Sequence, residues 1–229
     1  MTTIADRISI AQSRITQAAQ NCSRDKQEID LLAVSKTKPI QDIIAAYQAG
    51  LRKFGENYVQ EGEQKIIELK PQYPDIEWHF IGPLQSNKSK VVAEHFDWMH
   101  TVSREKIASR LNIQRPENLP PLNVCIQVNI SEEESKSGIC VGQIQPLAAA
   151  IATMDNLQLR GLMAIPTATQ SAELQQQEFS QLQTAFEQLK QQYPQVDTLS
   201  MGMSNDLDVA IANGSTMVRI GSAIFGKRS

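Results

Sequence analysis

Of the 229 residues, Lys36 is the one best placed for covalent chemistry. It ends the apolar part of Asp30-Leu31-Leu32-Ala33-Val34-Ser35-Lys36-Thr37-Lys38-Pro39, where a strand of period two sets Leu32, Val34 and Lys36 on one face and Leu31, Ala33 and Ser35 on the other. Both faces are apolar until the end, as in a parallel strand covered on both sides. A lysine that shares a face with Leu32 and Val34 loses hydration. That favours the neutral amine, the form that attacks an aldehyde to give a Schiff base. Lys38, beside Pro39, is expected in the solvated turn. A snorkelling lysine at a strand end needs no chemistry, so the reading depends on what converges near it.

Polar residues gather at the ends of the other apolar segments: Asn57, His79, Asn129, Ser200 with Gly202, and Arg219 with Gly221. By alternation Gly55/Asn57, Cys125/Gln127/Asn129 and Met217/Arg219/Gly221 each share one face, opposite Val124/Ile126/Val128 and Val218/Ile220. Buried polar groups need partners, so such a convergence points to a ligand rather than to packing. Arg219 carries the most weight, because a guanidinium inside a strand needs a carboxylate or a ligand beside it. His79, between Trp78 and Phe80, reads more readily as a satisfied core histidine than as an acid or base. Residues 200–206 and 219–222 can offer hydroxyls and backbone N–H groups to a phosphate, with Ser204 capping a short helix and Gly202 and Gly221 permitting close approach. An interior lysine beside two such segments suggests a phosphorylated aldehyde.

The elements that must position these groups alternate. Residues 3–21 carry Ile4, Ile8, Ala11, Ile15 and Ala18 at helical spacing. Strands are expected at 30–36, 53–58, 77–83, 98–102, 123–129, 159–165, 198–201 and 217–222. Helices are expected between them: one opened by Pro39 and closed by Gly50, one capped by Ser86, and a long one carrying Leu174, Phe179, Leu182, Phe186 and Leu189. Eight strand–helix repeats in this length, without a linker, predict an α/β fold: a single TIM (β/α)8 barrel over 1–229 with an extra N-terminal helix against its outside or plugging one end. A doubly wound open sheet is the alternative, but its Gly-rich first turn is missing from Ser35-Lys36-Thr37-Lys38-Pro39.

A formal charge of −3, with no basic run longer than Lys227-Arg228, argues against nucleic-acid or anionic-lipid binding. No apolar run approaches a membrane span, and residues 1–22 lack a signal peptide's apolar centre, so a cytoplasmic protein is expected. Cys22, Cys125 and Cys140 lack CxxC spacing, and His79, His95 and His100 lack a metal-binding pattern; no metal is expected.

Ala33-Val34-Ser35-Lys36-Thr37-Lys38, Phe54-Gly55-Glu56-Asn57-Tyr58, Trp78-His79-Phe80-Ile81-Gly82 with Leu84-Gln85 and Asn87-Lys88, Asn129 with Lys136 and Gly138, Gly161-Leu162-Met163, Leu199-Ser200-Met201-Gly202-Met203-Ser204 and Arg219-Ile220-Gly221 together resemble the pyridoxal-phosphate homeostasis protein family. That family is related to the barrel of bacterial alanine racemases and to fold type III pyridoxal-phosphate proteins. The resemblance implies that pyridoxal 5'-phosphate (PLP) is held as a Schiff base on Lys36, with Arg219 facing the pyridine nitrogen and Ser200, Ser204 and Gly221 around the phosphate. Asn57, His79, Met163, Gly202 and Ser222 complete the candidate cofactor-binding set. A permanently charged donor opposes protonation of the pyridine nitrogen, so the ring would be a weak electron sink. The β domain and partner-subunit tyrosine of an alanine racemase find no counterpart in the sequence after strand eight. The expectation is a monomeric PLP carrier that serves PLP homeostasis and PLP-dependent apo-enzymes. The alternatives are an amino-acid racemase, with Tyr58 or His79 as its second base, and a cofactor-free Schiff-base aldolase.

Overall fold

The computed structural model describes residues 2–131, 133, 136–166 and 171–226; the basic pair Lys227-Arg228 lies outside the described residues, as do residues 132, 134 and 135 of the 131–138 loop. Eight strands, β1 (Asp30–Val34), β2 (Lys53–Glu56), β3 (Glu77–Phe80), β4 (Trp98–Val102), β5 (Leu122–Val128), β6 (Leu157–Ala164), β7 (Thr198–Ser200) and β8 (Met217–Ile220), pair in sequence order. They close into a parallel barrel through β1 and β8. The helices are α1 (Ile4–Asn21), α2 (Ile40–Gln48), α3 (Val59–Leu69), α4 (Ser89–His95), α5 (Glu105–Gln114), α6 (Ile144–Ile151), α7 (Ala172–Gln192), α8 (Leu207–Ala212) and α9 (Ser222–Phe225).

Alternation sorts the side chains into two layers. Val124, Ile126, Val128, Val218 and Ile220 pack in the large cluster between sheet and helices. Inside the barrel, Met217 meets Leu32 and Ile81, and Cys125 meets Trp98 and Met163. The N-terminal helix does not plug an end. A Thr3–Asp6 capping box starts α1, and its Ile8, Ala11 and Ile15 face pack it against α2, α8 and α9 on the outside.

Several boundaries differ from the sequence pattern, for reasons of pairing. β1 stops at Val34 rather than Lys36, because its ladder to β2 ends with Val34 opposite Gly55. Ser35 N still donates to Gly55 O at 3.0 Å, and then Thr37 adopts a left-handed φ of 62° that turns the chain away. β2 ends at Glu56, short of Tyr58, and Ser222 leaves β8 to open α9. Ser86 sits in a 3-10 turn and accepts from Ser89 Oγ through its carbonyl, so α4 starts at Ser89. Ser204 does not cap α8. Asp206 holds that position, and its Oδ1 accepts from Met203 N. Leu174 lies 41% exposed in the first turn of α7, before the helix reaches the core.

Gly82 fixes the approach of the chain after β3 to the chain after β2. A Cβ there would lie 2.1 Å from Asn57 O, a backbone atom that cannot swing aside. Gly82→Ala is expected to cost about 1–3 kcal/mol, read as a shifted denaturant midpoint with unchanged slope.

Candidate functional site

A cavity of about 310 Å³ opens at the C-terminal ends of the strands, the end at which a barrel of this type can vary its loops. Val34 and Lys36 bring β1 to its wall, Asn57 brings β2, and Ile81 brings β3. Met163 and Ile165 come from β6 and its exit, and Met203, Ser204 and Asn205 from the loop after β7. Arg219, Gly221 and Ser222 close the circuit from β8 and α9. Seven of the ten candidates thus share one cavity, while His79, Ser200 and Gly202 do not line it.

Lys36 is half-buried in the turn rather than sealed inside a strand. The turn is held from the helix side: Ser35 Oγ donates to Glu56 Oε1 at 2.6 Å, Lys65 Nζ donates to Ser35 O at 2.8 Å, and Thr37 N donates to Glu61 Oε1 at 2.6 Å. Lys65 ties these acceptors together, bonding Glu56 Oε1 at 2.9 Å and Glu61 Oε1 at 2.6 Å. Sequence reasoning missed this bracket. Its signal was Glu56, a charged residue on the helix-facing side of a short strand.

Arg219 is buried, and among the described residues it pairs with carbonyls and a hydroxyl instead of the carboxylate or ligand expected. NH1 donates to Ser200 O at 2.7 Å and to Ser200 Oγ at 2.9 Å, and NH2 donates to Ala164 O at 2.9 Å. Burial pushes Arg219 down to about 10, with the Asp206 carboxylate opposing the fall, so it is charged at neutral pH. Gly202 serves the same seam: its O accepts from Arg219 N at 2.9 Å, and its φ of 94° leaves no room for a Cβ, which would lie 2.5 Å from Ala210 Cβ.

Two asparagine oxygens ask for donors. Asn57 Oδ1 is buried at the cavity wall with no hydrogen-bond partner among the described residues. Asn129 Oδ1 is likewise buried without a hydrogen-bond partner among the described residues, but Asn129 does not line this cavity; its Nδ2 donates to Glu133 O at 2.8 Å. A smaller hollow of about 190 Å³ shares Asn57, Ile81 and Ile165 with the main cavity and adds Gln127 and Lys136. A buried acceptor without a donor is costly in an empty site and useful in an occupied one. Tyr58, 52% exposed, does not line the cavity; it lines a neighbouring hollow with Leu84, Gln85 and Lys88 that meets the cavity at Asn57.

His79 lies inside the barrel, fully buried and bonded to Glu77 and His100. Burial pushes both imidazoles below their ordinary value, His100 well below it. In the unfolded chain each takes up a proton below pH ~6.5, so the unfolded state binds more protons there and these rings cost stability as pH falls. Glu56 and Asp97, whose carboxyls burial raises, act in the opposite sense above their ordinary values. The histidine share is isolated by comparing wild type with His100→Asn: between pH 7.5 and 5.5 the variant is expected to lose about 1.4 kcal/mol less stability in denaturant titrations. Among the described residues no group of His, Cys, Asp and Glu is arranged to hold a metal, and no helix is long and apolar enough to cross a membrane.

The sequence model of the alanine racemase N-terminal domain matches residues 11–229. The pyridoxal phosphate homeostasis protein of Escherichia coli is 57% identical over 230 residues, covering 100% of this chain and 98% of its own length. That of Vibrio alginolyticus is 55% identical over 230 residues, covering 100% and 99%. PipY of Synechococcus elongatus, solved with PLP bound, is 36% identical, covers 98% of this chain and 100% of its own, and superposes with a TM-score of 0.83. With that likeness extending over the barrel and every strand end that forms the cavity, the chain belongs to the pyridoxal phosphate homeostasis protein family, built on the alanine racemase N-terminal domain.

Proposed function

We propose that this chain binds PLP reversibly, attached to Lys36, and takes part in PLP homeostasis as a cytoplasmic, monomeric, single-domain carrier that supplies PLP-dependent apo-enzymes. The observation that carries the reading is the composition of one cavity wall: an amine from Lys36, a guanidinium from Arg219, hydroxyls from Ser204 and Ser222, and an acceptor, Asn57 Oδ1, still in need of a donor. These residues fit the cofactor. PLP supplies an aldehyde that condenses with an amine and a ring that can draw electrons from the attached carbon. Lys36 provides the amine. Ser204, Ser222 and the backbone of Asn205 and Gly221 offer uncharged hydrogen bonding suited to a phosphate that must also leave. Arg219 holds a fixed positive charge at the wall and so opposes protonation of a ring nitrogen set against it.

That charge supports a carrier over a racemase, and so does the placing of the two candidate second bases. Tyr58 lies outside the cavity, and His79 is sealed inside the barrel. The net charge of −3 gives no support to nucleic acid as a partner.

Incubating the purified protein with PLP is expected to give a visible absorption band and, after borohydride, one adduct per chain located on Lys36 by peptide mass. Racemisation of alanine is expected to stay at background, while an apo-enzyme mixed with the loaded protein gains activity. No band and no adduct would remove the reading. Racemisation at enzymatic rates would replace the carrier with a racemase, and a retro-aldol activity of colourless protein would favour the aldolase.

A further inference from the structure

Inside the barrel, a file of side chains crosses from the end below the cavity to Arg219. Glu77 and His79 lie on β3, His100 on β4, Ser200 on β7 and Arg219 on β8. The contacts are unbroken: Glu77 Oε1 to His79 Nε2 at 2.8 Å, His79 Nδ1 to His100 Nε2 at 2.9 Å, His100 Nδ1 to Ser200 Oγ at 3.0 Å, and Ser200 Oγ to Arg219 NH1 at 2.9 Å. His79, His100 and Ser200 are each 0% exposed. Only Glu77, at the far end, is half-buried, with a side chain 37% exposed.

Which atoms carry the hydrogens follows from both ends. Burial opposes ionisation of Glu77, but the hydrogen bond from His79 and the charge of Lys53 act against it, and the carboxyl lies below its ordinary range. An ionised carboxylate only accepts, so His79 Nε2 carries a hydrogen. Burial keeps both rings neutral, so His79 Nδ1 is bare and accepts. His100 Nε2 must then donate to it, which leaves His100 Nδ1 bare as well. Ser200 Oγ–H is the donor that remains for that nitrogen. From the other end, a guanidinium can only donate, so Arg219 NH1–H points at Ser200 Oγ and leaves the hydroxyl hydrogen for His100. The donors therefore run one way from either end: Arg219 to Ser200 to His100 to His79 to Glu77.

We propose that Ser200, His100 and His79 are positioning residues that lock the orientation and charge of Arg219 through this one-way chain of donors ending on the Glu77 carboxylate. Arg219 has no carboxylate bonded to it among the described residues, and polarised neutral dipoles answer its charge instead. Such an arrangement leaves the guanidinium's positive charge without a bonded carboxylate to cancel it, and only the unbonded Asp206 acts on it. The chain itself is a property of the protein alone; its consequence for PLP rests on the function proposed above.

Nitrogen-15 NMR of the cofactor-free full chain at neutral pH reads the chain directly. His79 and His100 are both expected as neutral rings with hydrogen on Nε2 and bare Nδ1. Ser200→Ala removes one hydroxyl with little change of volume; circular dichroism is expected to match wild type, while the His100 Nδ1 signal moves. PLP titration of that variant is expected to show a Kd raised roughly 10-fold and a displaced visible band, since Arg219 keeps its two carbonyl acceptors but loses the hydroxyl and the chain of donors behind it. A purely structural Ser200 would leave the band where it is. Two results overturn the proposal: either ring found with hydrogen on Nδ1, or a Ser200→Ala protein that matches wild type in both Kd and spectrum. A wild-type protein that takes up no PLP is a different failure. It removes the functional reading, while the ring tautomers, read without cofactor, still decide the chain of donors.

Discussion

Lys36→Ala is expected to abolish covalent capture of PLP: no visible band, no borohydride-stable adduct, and a Kd raised at least about 100-fold, or ~2.7 kcal/mol. A change of that size follows if the amine forms a bond rather than a contact, because among the described residues Lys36 is the lysine that lines the cavity, and Lys136 lines only the smaller hollow beside it. The fold is expected to survive. Lys36 is half-buried in a turn that bonds of Ser35, Thr37, Glu61 and Lys65 hold in place. Lys38→Ala, two residues along and outside the cavity wall, serves as the control and is expected to bind as wild type. Spectral titration with peptide mapping decides it: an adduct retained in Lys36→Ala on another lysine would move the chemistry elsewhere.

The barrel was legible because parallel strands buried on both faces announce themselves as short apolar runs, and the eight runs alternate with helical periodicity. Period two also separated the inner and outer faces of β5 and β8 correctly, Cys125 and Met217 inward, Val124 and Val218 outward. Strand ends were less legible. Where β1 stops depends on where β2 ceases to pair with it, and nothing local to Ser35-Lys36 records that.

The site divides along the same line. Lys36, Asn57, Arg219 and Gly221 stand at strand ends, where a polar residue departs from an apolar pattern and can be noticed. His100 departs from nothing conspicuous in Trp98-Met99-His100-Thr101-Val102. Its meaning comes from His79 and Ser200, 21 and 100 residues away in sequence, which only the closed barrel brings within 3.0 Å. Arg219 illustrates the limit of composition arguments: a buried guanidinium needs partners, but backbone carbonyls of β6 and β7 satisfy it as well as a carboxylate, and carbonyls leave no trace in the residue pattern.

The bracket beneath Lys36 gives the second large effect. Glu56 is 0% exposed and Lys65 5% exposed, and Lys65 Nζ bonds Glu56, Glu61 and Ser35 O at once. Glu56 Oε2 has no hydrogen-bond partner among the described residues, so the lysine's charge is the main compensation for burying this carboxylate. Lys65→Met keeps the apolar stem and removes the charge; the expected loss of stability is about 3–5 kcal/mol, the cost of one buried ion left alone. The loss is also expected to depend on pH. Burial already raises the Glu56 carboxyl above its ordinary value, and without Lys65 it rises further. The native state then holds a proton that the unfolded state releases above pH ~4.5, so stability present at low pH is lost as pH rises through the folded value, and Lys65→Met is weaker at pH 8 than at pH 5. Adding Glu56→Gln to Lys65→Met removes the uncompensated charge and is expected to recover most of the loss and to flatten the pH dependence. Denaturant titrations of the two single variants and the double variant at both pH values test this; a Lys65→Met protein within about 1 kcal/mol of wild type at pH 8 would show that the bracket is ornamental.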